Sequence, residues 1–152
     1  MEIITNNAQE TKDLGQKLAK TVLKMQGPIA LSLDGQLGGG KTTFLQGFAQ
    51  GLGVDQDITS PTFVIYNHYP IANPNFMDFY HFDCYRLQNE KDLTDLGANE
   101  IFANPQNIIA IEWAQRVKSI LPANTIYLEF IFIDENKREI KITNEPQEFS
   151  NN

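Results

Sequence analysis

The stretch Gly35-Gln36-Leu37-Gly38-Gly39-Gly40-Lys41-Thr42 has the spacing G-x-x-x-x-G-K-[ST], which assembles glycines, a cation and a hydroxyl for one task. Lacking Cβ atoms, the glycines let the backbone wrap until several N–H groups face a single phosphate chain. Lys41 then brings a positive charge to the β- and γ-phosphates, and Thr42 offers its hydroxyl to Mg²⁺. A helix starting at this point adds its positive end. At average residue frequencies, the pattern arises by accident in a chain this long at roughly the 1% level or below. Leu37, Gly38, Gly39, Gly40, Lys41, Thr42 and Thr43 are therefore the candidate nucleotide contacts.

A hydrolytic loop of this kind also needs acidic groups near the metal and the attacking water. Glu112 closes the apolar run Ile108-Ile109-Ala110-Ile111 and resembles the end of a Walker B strand with Glu in place of Asp. Asp83 closes a second strand-like run in His81-Phe82-Asp83-Cys84-Tyr85-Arg86. Either carboxylate serves as the metal or water partner, and the residues alone leave open which one touches Mg²⁺. His68 and His81 are isolated and read as packed or hydrogen-bonded histidines. Cys84 has no histidine-oriented arrangement around it and reads as buried. Asn136-Lys137-Arg138-Glu139 resembles the guanine-reading N-K-x-D pattern but ends in Glu and falls in a polar turn, so adenine is the expected base and ATP the expected nucleotide.

These residues need elements to hold them. Residues 2–5 suit a short strand. Asn7 with Glu10 three residues later forms a capping-box pattern. Leu14, Leu18, Val22 and Met25 follow at helical spacing, with Gly27-Pro28 as the stop. Residues 29–33 suit a strand buried on both faces, and a second helix runs from the glycine loop to about Leu52. Residues 62–69 and 76–83 pattern as an antiparallel hairpin, 89–96 as a short helix and 108–112 as a buried strand. Residues 125–133 and 138–143 form a last hairpin. The fold expected is α/β: a single P-loop NTPase-like domain over residues 1–143, with a mixed, partly antiparallel central sheet and flanking helices. Residues 144–152 are expected to be a frayed tail.

Composition narrows the partners. The 152 residues carry 12 basic and 19 acidic side chains, a net charge of −7. That balance disfavours a broad phosphate-binding surface for RNA or DNA. No apolar run approaches the roughly 18 residues a membrane helix needs, and no secretory pattern opens the chain. The single cysteine forms no internal disulfide and suits a reducing compartment, so a cytoplasmic location is expected.

Taken together, the sequence resembles the TsaE family, small bacterial P-loop ATPases required for threonylcarbamoyladenosine modification of tRNA. The resemblance spans most of the chain. It rests on the loop followed by Thr43-Phe44, then Ser60-Pro61-Thr62, His81-Phe82-Asp83 with Tyr85-Arg86, and Glu112-Trp113, all in the family's order. It implies one α/β ATPase domain working with TsaB and TsaD, with tRNA engaged only indirectly. It further implies that Thr62 lies in a switch-like segment, that Asp83 and Glu112 stand by Mg²⁺ and the γ-phosphate, that Trp113 shapes the site and that Arg138 approaches the nucleotide. Gln36 and Gly39 depart from the family's usual Asp and Ala; the first removes a negative charge beside the nucleotide. Two other readings compete. One is a nucleotide-dependent interaction module whose hydrolysis is incidental. The other is a small-molecule kinase, disfavoured because only three arginines are present, scattered at Arg86, Arg116 and Arg138.

Overall fold

The computed structural model describes residues 1–61 and 65–151. Strand β1 (Glu2–Thr5) leads into helix α1 (Ala8–Val22). The capping box forms with one shift of register. The Asn7 side chain accepts from the Glu10 N–H at 2.9 Å, while the Glu10 carboxylate accepts from the N–H of Asn6, at 2.7 Å, rather than that of Asn7. The helix ends at Val22, a turn earlier than Gly27-Pro28 suggests. Strand β2 (Ile29–Gly35), the glycine loop and helix α2 (Lys41–Gly51) follow as one βα unit.

The second half begins with β3 (Tyr66–Pro70) and β4 (Asp78–Asp83), then short helices α3 (Glu90–Thr94) and α4 (Ala98–Ala103). Strand β5 (Asn107–Glu112) is followed by a 3-10 helix (Ala114–Ile120), the hairpin β6 (Thr125–Phe132) and β7 (Arg138–Thr143), and a last turn α5 (Gln147–Ser150). Both expected hairpins form; β4 begins at Asp78 rather than at residue 76, and residues 62–64 of the first run lie outside the described residues. The frayed tail expected after Thr143 differs from the structure: Phe149 is fully buried in the core cluster that α1 and α2 cover.

The seven strands lie in the order β1-β7-β6-β2-β5-β4-β3. β6, β2, β5 and β4 run parallel, and the antiparallel pairs sit at both edges. This is the mixed α/β sheet that the pattern of elements predicts. Alternate residues of the central strands feed two cores. Leu31, Leu33, Ile108 and Ala110 point into the core beneath α1 and α2. Ala30, Ile109 and Ile111 point into the other, closed by Leu93, Ala98, Phe102, Ala114 and Val117 from α3, α4 and the 3-10 helix. Among the described residues no helix is long and apolar enough to cross a membrane.

The α1–α2 contact is unusually close. A Cβ added at Gly47 would stand 2.0 Å from the Lys12 carbonyl oxygen, and one at Gly15 would stand 2.3 Å from that of Phe44. Backbone therefore meets backbone, and α2, which begins at Lys41, is held rigidly against α1 and the sheet. Phe44 and Phe48 extend the grip, with ring centroids 5.5 Å from Phe130 and 5.8 Å from Phe79, respectively.

Candidate functional site

Register decides which strand ends meet. Leu33 of β2 and Asp83 of β4 both pair with Glu112 of β5, so the carboxyl ends of three parallel strands finish at one edge. Ligands of open α/β sheets bind at this edge. Here a cavity of about 620 Å³ opens. The loop and α2 line it with Leu37, Gly38, Gly40, Lys41, Thr42 and Thr43. Asp83 and Tyr85 enter after β4, Glu112 and Trp113 after β5, Arg138 from β7, and Ser60 completes the wall.

The loop turns through Gly40, which caps α2 at φ +100°, a conformation side chains rarely adopt. Gly39 is buried beneath it, its N–H donating to the Gln36 carbonyl at 2.9 Å; of the candidate nucleotide contacts Leu37 to Thr43, only Gly39 stays out of the cavity wall. Thr62 lies outside the described residues. Leu37 is wholly exposed at the loop's tip.

Lys41 Nζ donates to the Gly35 carbonyl at 2.7 Å and stands 3.9 Å from Glu112 Oε1. Glu112 is buried, and its second oxygen accepts from His81 Nε2 at 2.9 Å. Asp83 is half-buried and accepts from the Tyr85 N–H at 3.0 Å. The two carboxylates are therefore neighbours with different hydrogen-bond partners. Trp113 holds a left-handed backbone, φ 61°, and its ring meets that of Tyr85 at 5.1 Å. Arg138 donates to Gly38 O at 3.1 Å and to Lys137 O at 2.9 Å, with its guanidinium 4.8 Å over the Phe132 ring. One arginine thus reaches the loop. Arg116 instead donates to the Leu87 carbonyl.

Some sequence features resolve into structural roles. Residues 136–137 form the expected polar turn: their N–H groups donate to Asp134 and hold its carboxyl below the usual range. Cys84 is fully buried, and desolvation, aided by the charge of Asp83, pushes its thiol up to about 12. His81 is the packed, hydrogen-bonded histidine expected. What sequence reasoning missed is that its partner is Glu112, 31 residues away. The only signal was its place two residues before Asp83.

Among the described residues no three His, Cys, Asp or Glu side chains converge as a metal cage. A hydroxyl at Thr42 with a carboxylate opposite fits Mg²⁺ nonetheless, because that ion keeps waters and takes its remaining ligands from substrate phosphates.

Comparison with known proteins agrees with this architecture. Residues 5–140 match the family described as threonylcarbamoyl adenosine biosynthesis protein TsaE. The chain is 38% identical over 139 residues to the tRNA threonylcarbamoyladenosine biosynthesis protein TsaE of Bacillus subtilis, covering 91% of this chain and 82% of that one. It is 34% identical over 142 residues to the protein of the same name from Treponema pallidum, covering 93% and 99%. The crystal structure of Bacillus subtilis YdiB superposes with a TM-score of 0.69 at 32% identity, over 99% of this chain and 88% of that one. The chain belongs to the TsaE family and, with it, to the biosynthesis of tRNA threonylcarbamoyladenosine.

Proposed function

We propose that this chain binds ATP·Mg²⁺ at the glycine loop, hydrolyses it slowly alone, and does so faster as the partner of the TsaB–TsaD pair in the cytoplasm, with tRNA engaged only through those partners. The observation that carries this reading is the convergence of Lys41, Thr42, Asp83 and Glu112 on one cavity at the ends of β2, β4 and β5. Backbone N–H groups of Gly38 and of Gly40 to Thr43 would cradle the phosphates, and Lys41 Nζ, free to leave the Gly35 carbonyl, would meet the β- and γ-oxygens. Thr42 with Asp83 or Glu112 would hold Mg²⁺. When bound, that ion supplies charge neutralisation on the transferring phosphoryl group. Glu112 Oε1, facing the mouth of the loop, would orient the attacking water.

Thr62 is proposed as a switch-like residue, and Arg138 as a nucleotide contact. Catalysis of phosphoryl transfer is mostly positioning and electrostatics, and an arginine finger alone is worth about 10³–10⁵ in rate. Arg138 is already committed to loop carbonyls and the Phe132 ring, so a partner is the natural source of further positive charge. A net charge of −7 argues against direct tRNA binding. The deciding experiment is steady-state phosphate release with and without purified TsaB–TsaD. Slow hydrolysis raised substantially by the pair is expected. A high rate in the lone chain, unaltered over a wide range of partner concentration, would contradict the coupling. Turnover of the TsaB–TsaD pair that a non-hydrolysable ATP analogue supports as well as ATP does would favour an interaction module.

A further inference from the structure

His81 sits one pleat below Asp83 on the same face of β4, in register with Ala110, so it reaches diagonally to Glu112 at the end of β5. It is 1% exposed. Its Nε2 lies 2.9 Å from Glu112 Oε2, while Glu112 Oε1 lies 3.9 Å from Lys41 Nζ. The two oxygens of one carboxylate are thus divided between an imidazole behind and a cation in front. A carboxylate accepts only, so Nε2 carries the proton. Nδ1 is buried without a hydrogen-bond partner among the described residues. A proton there would leave an unpaired buried donor, so Nδ1 is the bare nitrogen. Without the imidazole, a glutamate with three rotatable bonds would no longer hold Oε1 toward the mouth of the loop.

We propose that His81 is a positioning residue for Glu112: by holding Oε2 it keeps Oε1 aimed at the mouth of the loop. The proposal rests on the reading of this cavity as an ATP-hydrolysing site. Because the loop's own phosphate contacts do not pass through His81, its effect falls on kcat and leaves nucleotide affinity nearly intact.

The test compares His81→Gln, whose amide nitrogen reaches the place of Nε2, with His81→Leu, which fills similar volume and donates nothing. In steady-state hydrolysis with the partner pair, His81→Leu should lower kcat about 10–100-fold, the usual cost of losing an outer-shell partner, with KM little changed. His81→Gln should recover most of the loss. Thermal unfolding checks that each variant folds; should His81→Leu fail, His81→Asn, too short to reach Glu112, replaces it. Long-range ¹H–¹⁵N spectra of the wild-type chain should show the Nε2–H tautomer at His81. Wild-type kcat in His81→Leu, a Gln variant no better than the Leu variant, or an Nδ1–H tautomer would each overturn the proposal. If calorimetry finds no ATP binding by the wild-type chain, the nucleotide reading fails, and the tautomer still decides the arrangement proposed here.

Discussion

On one face of the sheet, α1 and α2 touch backbone to backbone through Gly15 and Gly47 and cover a single large core. On the other, α3, α4 and the 3-10 helix, each seven residues or shorter, close a smaller core around Phe82 and Phe102. Lys41, His81, Asp83 and Glu112 all belong to the first face. The glycine loop is mounted where backbone packs directly on backbone, and the second face supports the strands from behind. The phosphoryl transfer proposed here demands positioning to within about 1 Å, and a clasped helix pair provides it more directly than three short turns do.

The comparison can be broken most sharply at Lys41. Lys41→Ala removes the point charge from the first face and should lower hydrolysis by about 10²-fold or more, as read by phosphate release, with the unfolding midpoint nearly unchanged. Next come the carboxylates. Glu112→Ala leaves His81 with a buried, unpaired donor, so it should cost about 1–3 kcal/mol of stability as well as hydrolysis. Asp83→Ala gives up one hydrogen bond at a half-buried site. It should impair hydrolysis while costing about 0.5–1.5 kcal/mol. Denaturant unfolding beside phosphate release separates the two, and equal stability losses would erase the distinction drawn between them.

The two faces themselves are separated by a pair of core substitutions. Phe102→Ala empties the second core, where its ring meets Phe82 edge-on at 5.1 Å. It should destabilise by about 3–5 kcal/mol yet leave ATP affinity unchanged in the molecules that remain folded. Gly47→Ala forces a methyl toward the Lys12 carbonyl and should cost about 1–3 kcal/mol, with weaker ATP binding because the start of α2 shifts. Calorimetry reversing that order would contradict the division of labour. The smallest effect concerns Cys84 of the second core. Its thiol is raised from 9.0 to about 12, so the folded chain should react slowly with iodoacetamide at pH 8, and fast only when unfolded. Between pH 9 and 12 the unfolded state holds fewer protons at this group than the folded state does, so this contribution to stability falls as pH rises through that window.

How much was legible in the sequence follows the same division. The phosphate loop, α1 with its cap, β2, β5 and both hairpins were readable, because long periodic segments and turn residues report their own structure. α4, the 3-10 helix and α5 were not. Short helices of four to seven residues carry too little periodicity, and Phe149 is a lone aromatic in a polar tail whose burial depends on docking against α1, where Lys17 lies over its ring. In the candidate site, the placement of Lys41, Thr42, Asp83 and Glu112 at a loop and at strand ends was legible, and the structure brings all four to one cavity. The His81–Glu112 contact was not, since it depends on the register between β4 and β5, which neither strand's residues encode alone. The inward turn of the Gly39 N–H was likewise invisible, because the pattern G-x-x-x-x-G-K-T specifies which residues form the loop but not which amides face the cavity.

The central claim is that the clasped face carries an ATP site. It is tested most directly by calorimetric titration of the full chain with ATP·Mg²⁺, repeated with GTP and with Lys41→Ala. The account predicts saturable one-to-one heats with ATP, clearly weaker binding of GTP, and loss of affinity in the Lys41 variant. Absence of ATP heats from the folded wild-type chain, or identical isotherms with and without the lysine, would contradict it.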